Sequence, residues 1–291
     1  MLRYKVEKYR KIAAYSNFRT LRLCVFKTLL LLFSLLFVSC SPQKRLAYSF
    51  VEKSNGASVA FYVPNELKKM NIRKDCQQNY LEGIATEDMQ DTIDARTKIV
   101  NKIDDDIFLN VLISSFESTL KDYNISLRYW EDENTKPDSL HWIVDLSHIE
   151  IQEFNEYLCS RCGIEGNYEF FPSTTVNVAS WIELVNGDND EMLFTEQNYG
   201  EYVIDCDYYL DSAGKWMPYA DIQSLTIEGF YDFTVALGKL YAGYCYDFFM
   251  NEYVRKEMMK KGKEYSDDEY LRYDPYESYI YYTRKDRLIE L

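Results

Sequence analysis

The fold is decided by residues 174–185, which read TTVNVASWIELV. Apolar residues alternate with polar ones along this run, and this period of two is typical of a β-strand with one buried face. The turn-forming residues Asn186-Gly187-Asp188-Asn189-Asp190 follow directly, and residues 191–199 again have the composition of a strand. Together the three segments predict an antiparallel β-hairpin.

More strands are predicted on the N-terminal side of this hairpin. Residues 58–63 and 125–130 have strand composition, and the long run 141–157 is rich in β-branched and aromatic residues. Residues 211–214 form a further predicted turn beyond the hairpin. Strands therefore outnumber helices in the predicted fold.

Two helices are predicted with an apolar, core-facing side. The first begins after Asp105 or Asp106 as its N-cap and ends near Asn124. The second is long: it runs from about residue 221 to residue 261 and stops at Gly262. With one more helix after the first strand, the element order indicates an α+β fold, with an antiparallel-rich sheet and helices packed on one face.

The N-terminus has the pattern of a secretory signal peptide. Residues 1–27 carry eight Lys or Arg against one acid, and the apolar run 28–38 follows immediately. A permanent membrane-spanning helix needs roughly twenty apolar residues. This shorter run therefore predicts a removable signal.

The apolar run closes with Leu36-Phe37-Val38-Ser39-Cys40, which resembles the lipobox of bacterial lipoproteins, with Phe37 in place of the usual Leu. The resemblance implies that Cys40 becomes the new N-terminus and carries fatty acids such as palmitate, which anchor the protein in a membrane. By the same resemblance, Ser41 in place of an Asp favours the outer membrane. The basic Lys44-Arg45 differs from the acidic cluster that marks surface export, so the protein is expected to face the periplasm.

Four segments are predicted along the chain. Residues 1–39 are the signal peptide, and residues 40–56 form a lipidated tether. Residues 57–262 form the globular α+β domain. Residues 263–291 form a tyrosine-rich, partly ordered tail, whose removal is expected to leave the fold intact.

The charge balance excludes nucleic-acid binding. The whole chain has a net charge of −14, and removal of residues 1–40 takes away eight basic residues and one acidic one, which leaves about −21. Such a surface repels nucleic acid and anionic headgroups at long range. The 27 tyrosines supply enough apolar area for a folded core.

Five cysteines follow Cys40, an odd number for an oxidising compartment, so at least one is expected to be a free buried thiol. The pair Cys159 and Cys162 has the spacing of a redox motif. Its flanks are a predicted strand and loop, however, whereas a catalytic pair starts a helix. We therefore expect a local structural disulfide, or two thiols in a hairpin loop, rather than a catalytic or zinc site.

No motif predicts a catalytic residue, a metal or a cofactor. His141 and His148 lie seven residues apart on one predicted strand, and therefore on opposite faces. Residues 104–106 are three aspartates that fit a helix start, and residues 188–190 fit a turn. A phosphate-binding loop, a nucleophile elbow and a zinc-binding helix motif are all missing from the sequence.

The chain resembles a group of uncharacterised Bacteroidota envelope lipoproteins. The resemblance rests on the lipobox followed by Lys44-Arg45-Leu46-Ala47 with Phe50, and on the helix segments 237–239 and 246–253. It implies no activity. In its element order the chain is also similar, over roughly residues 57–200, to auxiliary lipoproteins of ABC-type envelope transport systems.

Three functions remain open. The first is an envelope lipoprotein that acts through protein–protein contacts, as an accessory subunit of a transport or assembly system. The second is a periplasmic module that binds a glycan or lipid through its tyrosines and through Trp130, Trp142, Trp181 or Trp216. The third is an envelope hydrolase, which would need carboxylates that converge in a cleft.

Overall fold

A computed structural model describes residues 41–73, 96–128, 141–162, 167–186, 189–265 and 270–284. Within these residues the chain forms three α-helices: α1 (Pro42–Lys53), α2 (Asp105–Asp122) and α3 (Ile227–Lys260). The strands are β1 (Ser58–Tyr62), β2 (Lys68–Asn71), β3 (Ser126–Arg128), β4 (His141–Cys162), β5 (Asn167–Asn186), β6 (Asn189–Gly200), β7 (Tyr202–Leu210), β8 (Trp216–Gln223), β9 (Tyr270–Asp274) and β10 (Tyr279–Thr283). The signal peptide, Cys40 and Trp130 lie outside the described residues.

Six strands form one mixed sheet. The strands β3, β1, β4, β5 and β6 are neighbours in that order, and β2 pairs with β4. β1 and β2 run parallel to β4, whereas β4, β5 and β6 are antiparallel over long stretches. Two separate hairpins, β7–β8 and β9–β10, are also antiparallel. The predicted α+β fold with an antiparallel-rich sheet is confirmed.

A β-bulge determines which residues of β4 face the core. The bulge lies between Leu146 and His148 and shifts the alternation of side chains by one residue. Trp142 and Leu146 are buried before the bulge, and Ile149 and Ile151 are buried after it. This shift keeps apolar residues on the core side of the sheet along most of a very long strand.

The three helices cover this side of the sheet. The ring of Trp142 lies between Phe50 of α1 and Phe249 of α3, at centroid distances of 5.6 and 4.4 Å. Phe61 of β1 stacks on Phe116 of α2 at 4.1 Å. Such ring pairs contribute about 0.5–1.5 kcal/mol each beyond the burial of their area, so the aromatic content stabilises the contact between sheet and helices.

α2 and α3 approach each other most closely at Gly238. A Cβ atom at this position would lie 2.6 Å from the carbonyl oxygen of Leu112 and 2.8 Å from the Cβ of Ser115. The hydroxyl of Ser115 donates a hydrogen bond to the carbonyl oxygen of Val235 at 2.6 Å across the same contact. The glycine is therefore required by the distance between the two helices.

We expect Gly238→Ala to lower the free energy of unfolding by about 1–3 kcal/mol, because the added methyl group forces the helices apart. Gly243→Ala is the matched control on the same helix, since a Cβ there would meet only the hydroxyl of Tyr123, at 3.7 Å. It should raise stability by up to about 1 kcal/mol through helix propensity. Urea unfolding measures both variants, and equal effects would contradict the close crossing.

Residues 42–53 form a helix that packs on the core, which differs from the expected tether. The hydroxyl of Ser41 accepts a hydrogen bond from the backbone N–H of Lys44 at 3.1 Å and caps the helix. Ala47 and Phe50 are buried, and the hydroxyl of Tyr48 accepts from the N–H of Ile280 at 3.3 Å. α1 is therefore part of the globular domain.

The C-terminal hairpin β9–β10 also belongs to the core, whereas a partly ordered tail was expected. Leu271 and Ile280 are fully buried. The hydroxyl of Tyr282 donates to the side-chain oxygen of Gln43 at 2.9 Å, which joins the hairpin to α1. Both ends of the described chain are thus packed together at one end of the sheet.

Candidate interaction surface

β4 and β5 extend beyond the rest of the sheet. β2 pairs with β4 only as far as Glu153, and β6 pairs with β5 only from Thr175 onward. The remaining parts, residues 154–162 and 167–174, form a two-stranded ribbon. We call this ribbon, together with the β7–β8 hairpin, the distal arm.

The distal arm lies far from α1. Trp142 contacts α1 at the start of β4, and Tyr157 follows 15 residues later on the same strand. Fifteen residues of extended chain span about 50 Å. The arm and the N-terminal helix therefore occupy opposite ends of the sheet.

One face of the ribbon is aromatic and exposed. Tyr157, Cys159 and Arg161 alternate on β4 opposite Pro172, Phe170 and Tyr168 on β5, so these six side chains share one face. Tyr157 is 71% exposed, Tyr168 67% and Phe170 63%. Contiguous exposed apolar patches on soluble proteins mark interaction sites. This face is therefore the strongest candidate for a binding surface.

The β7–β8 hairpin packs on the opposite face of the ribbon. The hydroxyl of Tyr208 donates to the carboxylate of Glu169 at 3.2 Å, and Glu169 pairs with Ser160, on the face away from Tyr157. Burial, together with this hydrogen bond, raises the pKa of Tyr208. Cys206, two residues earlier on β7, is disulfide-bonded. The hydrogen bond between Tyr208 and Glu169 joins the ribbon to this second layer.

The outer face of the β7–β8 hairpin is a second exposed surface, on the side of the distal arm away from the aromatic face of the ribbon. Tyr209 is 50% exposed and Tyr219 58%, and Trp216 beside the turn is 64% exposed. Three exposed aspartates share this face with the two tyrosines: Asp205, Asp207 and Asp221. The distal arm thus combines exposed rings with negative charge.

The predicted disulfide between Cys159 and Cys162 does not form. Cys159 is a free, exposed thiol. Both residues lie on the extended strand β4, where three residues separate their Cα atoms by about 10 Å, and a disulfide requires Cα atoms within about 7 Å. The second free thiol, Cys245, is buried in α3, and its burial raises its pKa.

Asp247 is the most strongly perturbed carboxyl group in the described part of the chain. It is 1% exposed, and burial raises its pKa to about 7. Its oxygens accept hydrogen bonds from Nε of Arg272 and from the backbone N–H of Tyr273, both at 3.0 Å. A perturbed carboxyl can mark an active site, but both partners here belong to β9. The interaction therefore fixes the C-terminal hairpin to α3.

Asn251, one turn later on α3, makes the same connection. Its side-chain oxygen accepts from the N–H of Leu271 at 2.9 Å, and its nitrogen donates to the carbonyl oxygen of Leu271 at 2.7 Å. The side-chain amide thus bonds Leu271 as a neighbouring strand would. The hydroxyl of Tyr265 donates to the side-chain oxygen of Asn251 at 2.8 Å.

Glu153 is another buried carboxylate with a structural role. It is fully buried and accepts hydrogen bonds from the backbone N–H groups of Lys98, Ile99 and Val100, at 2.7 to 3.2 Å. Arg73 lies 3.4 Å away. These contacts hold the 3₁₀ turn (Val100–Lys102) on the sheet. Asp247 and Glu153 thus each accept hydrogen bonds from a different segment of backbone.

The described tryptophans lie in three different places. Trp142 is in the core, Trp216 is on the β7–β8 hairpin, and Trp181 is on the outer face of the main sheet. Trp181 lies between His148 and Phe194, at centroid distances of 5.1 and 4.8 Å, with ring planes tilted by 54° and 51°. Rings this far from coplanar do not form a flat platform for a sugar. The dispersal of the tryptophans counts against a single aromatic pocket.

No family model and no curated protein matches the chain. Over residues 41–284, apart from the gaps given above, no helix is both long and apolar enough to cross a bilayer. Within the same residues, no three His, Cys, Asp or Glu side chains are grouped so that they could hold a metal ion.

Proposed function

We propose that the chain is a membrane-anchored envelope lipoprotein that acts through protein–protein contacts, with the distal arm as its docking surface. The observation that carries this proposal is the exposed aromatic face of the ribbon. Tyr, Phe and Trp are enriched in the buried centres of protein interfaces, and a few such rings account for most of the binding energy there. An accessory role in envelope transport or assembly would use such an exposed surface to bind a partner protein.

The backbone of the ribbon supports a protein partner over a small ligand. Within the described residues, neither β4 after Glu153 nor β5 before Thr175 pairs with a further strand. A partner strand can add to such an edge through main-chain hydrogen bonds, while its side chains contact the neighbouring rings. The arm thus offers both the hydrogen bonds and the apolar contacts that this mode of recognition needs.

The proposed lipid anchor places the distal arm away from the membrane. The lipobox-like segment ends at Cys40, and α1 begins at Pro42, so acyl chains on Cys40 would hold the α1 end of the sheet at the bilayer. The arm would then project outward by about 50 Å. From Ser41 we propose the outer membrane, and from the basic Lys44-Arg45 its periplasmic face.

The anchor is tested by replacing Cys40 with Ala and following incorporation of a radiolabelled fatty acid in cells. We expect label in the wild-type protein and none in Cys40→Ala. Cys245→Ala serves as the control, because this thiol is buried and should not affect labelling. Label retained in Cys40→Ala would contradict the proposed acylation site.

The docking surface is tested by the triple variant Tyr157→Ser, Tyr168→Ser and Phe170→Ser. Because these rings are exposed, each change should alter the free energy of unfolding by less than about 0.5 kcal/mol. Interface rings contribute about 2 kcal/mol or more each when they are central, so crosslinked and co-purified partner should fall by roughly 100-fold or more.

A matched control removes exposed apolar side chains from the other end of the molecule: Met259→Ser, Tyr276→Ser and Tyr279→Ser. This variant should recover the partner as the wild type does. Equal loss in both variants would contradict the assignment of the docking surface to the arm. If the wild-type protein is recovered alone, a glycan and lipid screen would test the alternative of a binding module.

A further inference from the structure

A groove with basic walls lies at the end of the protein that carries the proposed anchor. It is formed by the start of α1 and the end of α3 and has a volume of about 280 Å³. Its lining residues are Pro42, Arg45, Leu46, Met258, Lys261 and Lys263. Three of these side chains are cationic and three are apolar.

The three cationic side chains are exposed and make no ion pair with another described residue. Two neighbouring lysines, in contrast, do have partners. Lys260 pairs with Glu257 at 2.8 Å, and the ammonium group of Lys44 lies about 5 Å above the ring centres of Tyr279 and Tyr282. Three cationic side chains without a close ion pair to a described residue therefore line one groove.

Helix electrostatics explain two of these three cations but not the third. Lys261 and Lys263 follow the C-terminus of α3, where cations interact favourably with the helix dipole. Arg45, in contrast, lies at the start of α1, where a cation is unfavourable, and the first turn of α1 contains no acid to offset it. In a protein whose residues 41–291 carry a net charge near −21, this placement indicates an anionic partner.

We infer that the groove binds the phosphate of an anionic glycerophospholipid in the membrane that holds the acyl chains of Cys40. The inference rests on the proposed lipid anchor. Cys40 is two residues from Pro42, and two residues of extended chain span about 7 Å at most. The anchor would therefore keep the groove close to the lipid headgroups. The apolar side chains of Leu46 and Met258 suit the glycerol and upper acyl region, which free phosphate lacks.

The negative charge of the rest of the protein does not prevent this contact. Screening reduces charge interactions over about 8 Å at physiological ionic strength, so the groove residues dominate once the anchor holds them at the surface. A basic residue near an anionic membrane strengthens binding by a factor of about five, and three by about 100. The lipid bound at the groove should therefore be strongly enriched in anionic headgroups.

The test uses the intact lipoprotein in nanodiscs of equal phosphatidylcholine and phosphatidylglycerol, ejected into a native mass spectrometer. We expect the ratio of phosphatidylglycerol to phosphatidylcholine adducts to exceed the bulk ratio by about 100-fold. It should return to the bulk ratio in the triple variant Arg45→Ala, Lys261→Ala and Lys263→Ala. Lys102→Ala, Lys215→Ala and Lys239→Ala, all exposed and distant, form a control with the same loss of charge.

Enrichment that persists in the groove variant, or that is lost equally in the control, would overturn the inference. Displacement of the lipid by inorganic phosphate added alone would assign the groove to a free anion instead, and would also overturn it. The mass of the protein in the same spectrum reports whether it is acylated. The protein mass therefore tests the anchor proposal, and the adduct ratio tests the groove. Either proposal can fail without the other.

Discussion

Removal of residues 263–291 is expected to unfold the protein. The deletion takes away Leu271 and Ile280, each of which should cost about 2–5 kcal/mol. It also takes from Asp247 and Asn251 the hydrogen bonds that β9 supplies, and a buried polar group left without its partner costs about 1–3 kcal/mol. The sum is comparable with the whole stability of a typical domain, about 5–15 kcal/mol.

Urea unfolding followed by circular dichroism measures this effect, and single substitutions in the hairpin give a graded comparison. Leu271→Ala should lower the free energy of unfolding by about 2–5 kcal/mol. Tyr279→Ala, at a position that is 52% exposed, should lower it by less than about 1 kcal/mol. A truncated protein with an unchanged unfolding midpoint would show that the hairpin is not part of the core.

Substitution of Asp247 by Leu is expected to lower the free energy of unfolding by about 3–5 kcal/mol, because the guanidinium of Arg272 and the N–H of Tyr273 lose their acceptor. Asp247→Asn has the same shape and keeps one of the two acceptor oxygens, so it should cost less than Asp247→Leu. Urea titrations of both variants measure the difference. Equal losses would show that volume, and not hydrogen bonding, matters at this position.

The same position should make stability depend on pH. The pKa of Asp247 is raised from 3.8 to about 7 in the folded protein, so between these values the folded state holds a proton that the unfolded state has lost. The stability that comes from holding this proton is fully present below pH 3.8 and is lost as the pH rises through about 7. The free energy of unfolding falls by at most about 1.4 kcal/mol per pH unit over this range. Wild-type stability measured relative to Asp247→Asn should therefore fall from pH 5 to pH 8; a rise would contradict the raised pKa.

The central sheet and the two longer helices could be predicted from local patterns. The alternation in residues 174–185 and the apolar face of the Asp105–Asp122 helix are both set by periods that the sequence displays. The predicted ends were less accurate, since Asp104 and not Asp105 or Asp106 is the N-cap. Boundaries depend on single hydrogen bonds that neighbouring aspartates can make equally well.

Elements stabilised by distant residues could not be predicted. α1 is short, and its position depends on Phe50 against Trp142, 92 residues away in the sequence. β9 buries only Leu271 fully, and its hydrogen-bonding partner is the side chain of Asn251 on a helix. The distal arm was missed for a different reason: Tyr157 and Phe170 fit either a core or a surface, and only the ends of β2 and β6 leave them exposed.

The most direct test of the proposed function is a photoreactive phenylalanine analogue placed at position 170 of the full chain in intact cells, compared with the same analogue at position 276. Both positions are exposed, but only position 170 lies on the aromatic face of the distal arm. The proposal predicts a discrete crosslinked envelope protein from position 170 and none from position 276. Crosslinking to one protein from position 276 and not from position 170 would contradict it.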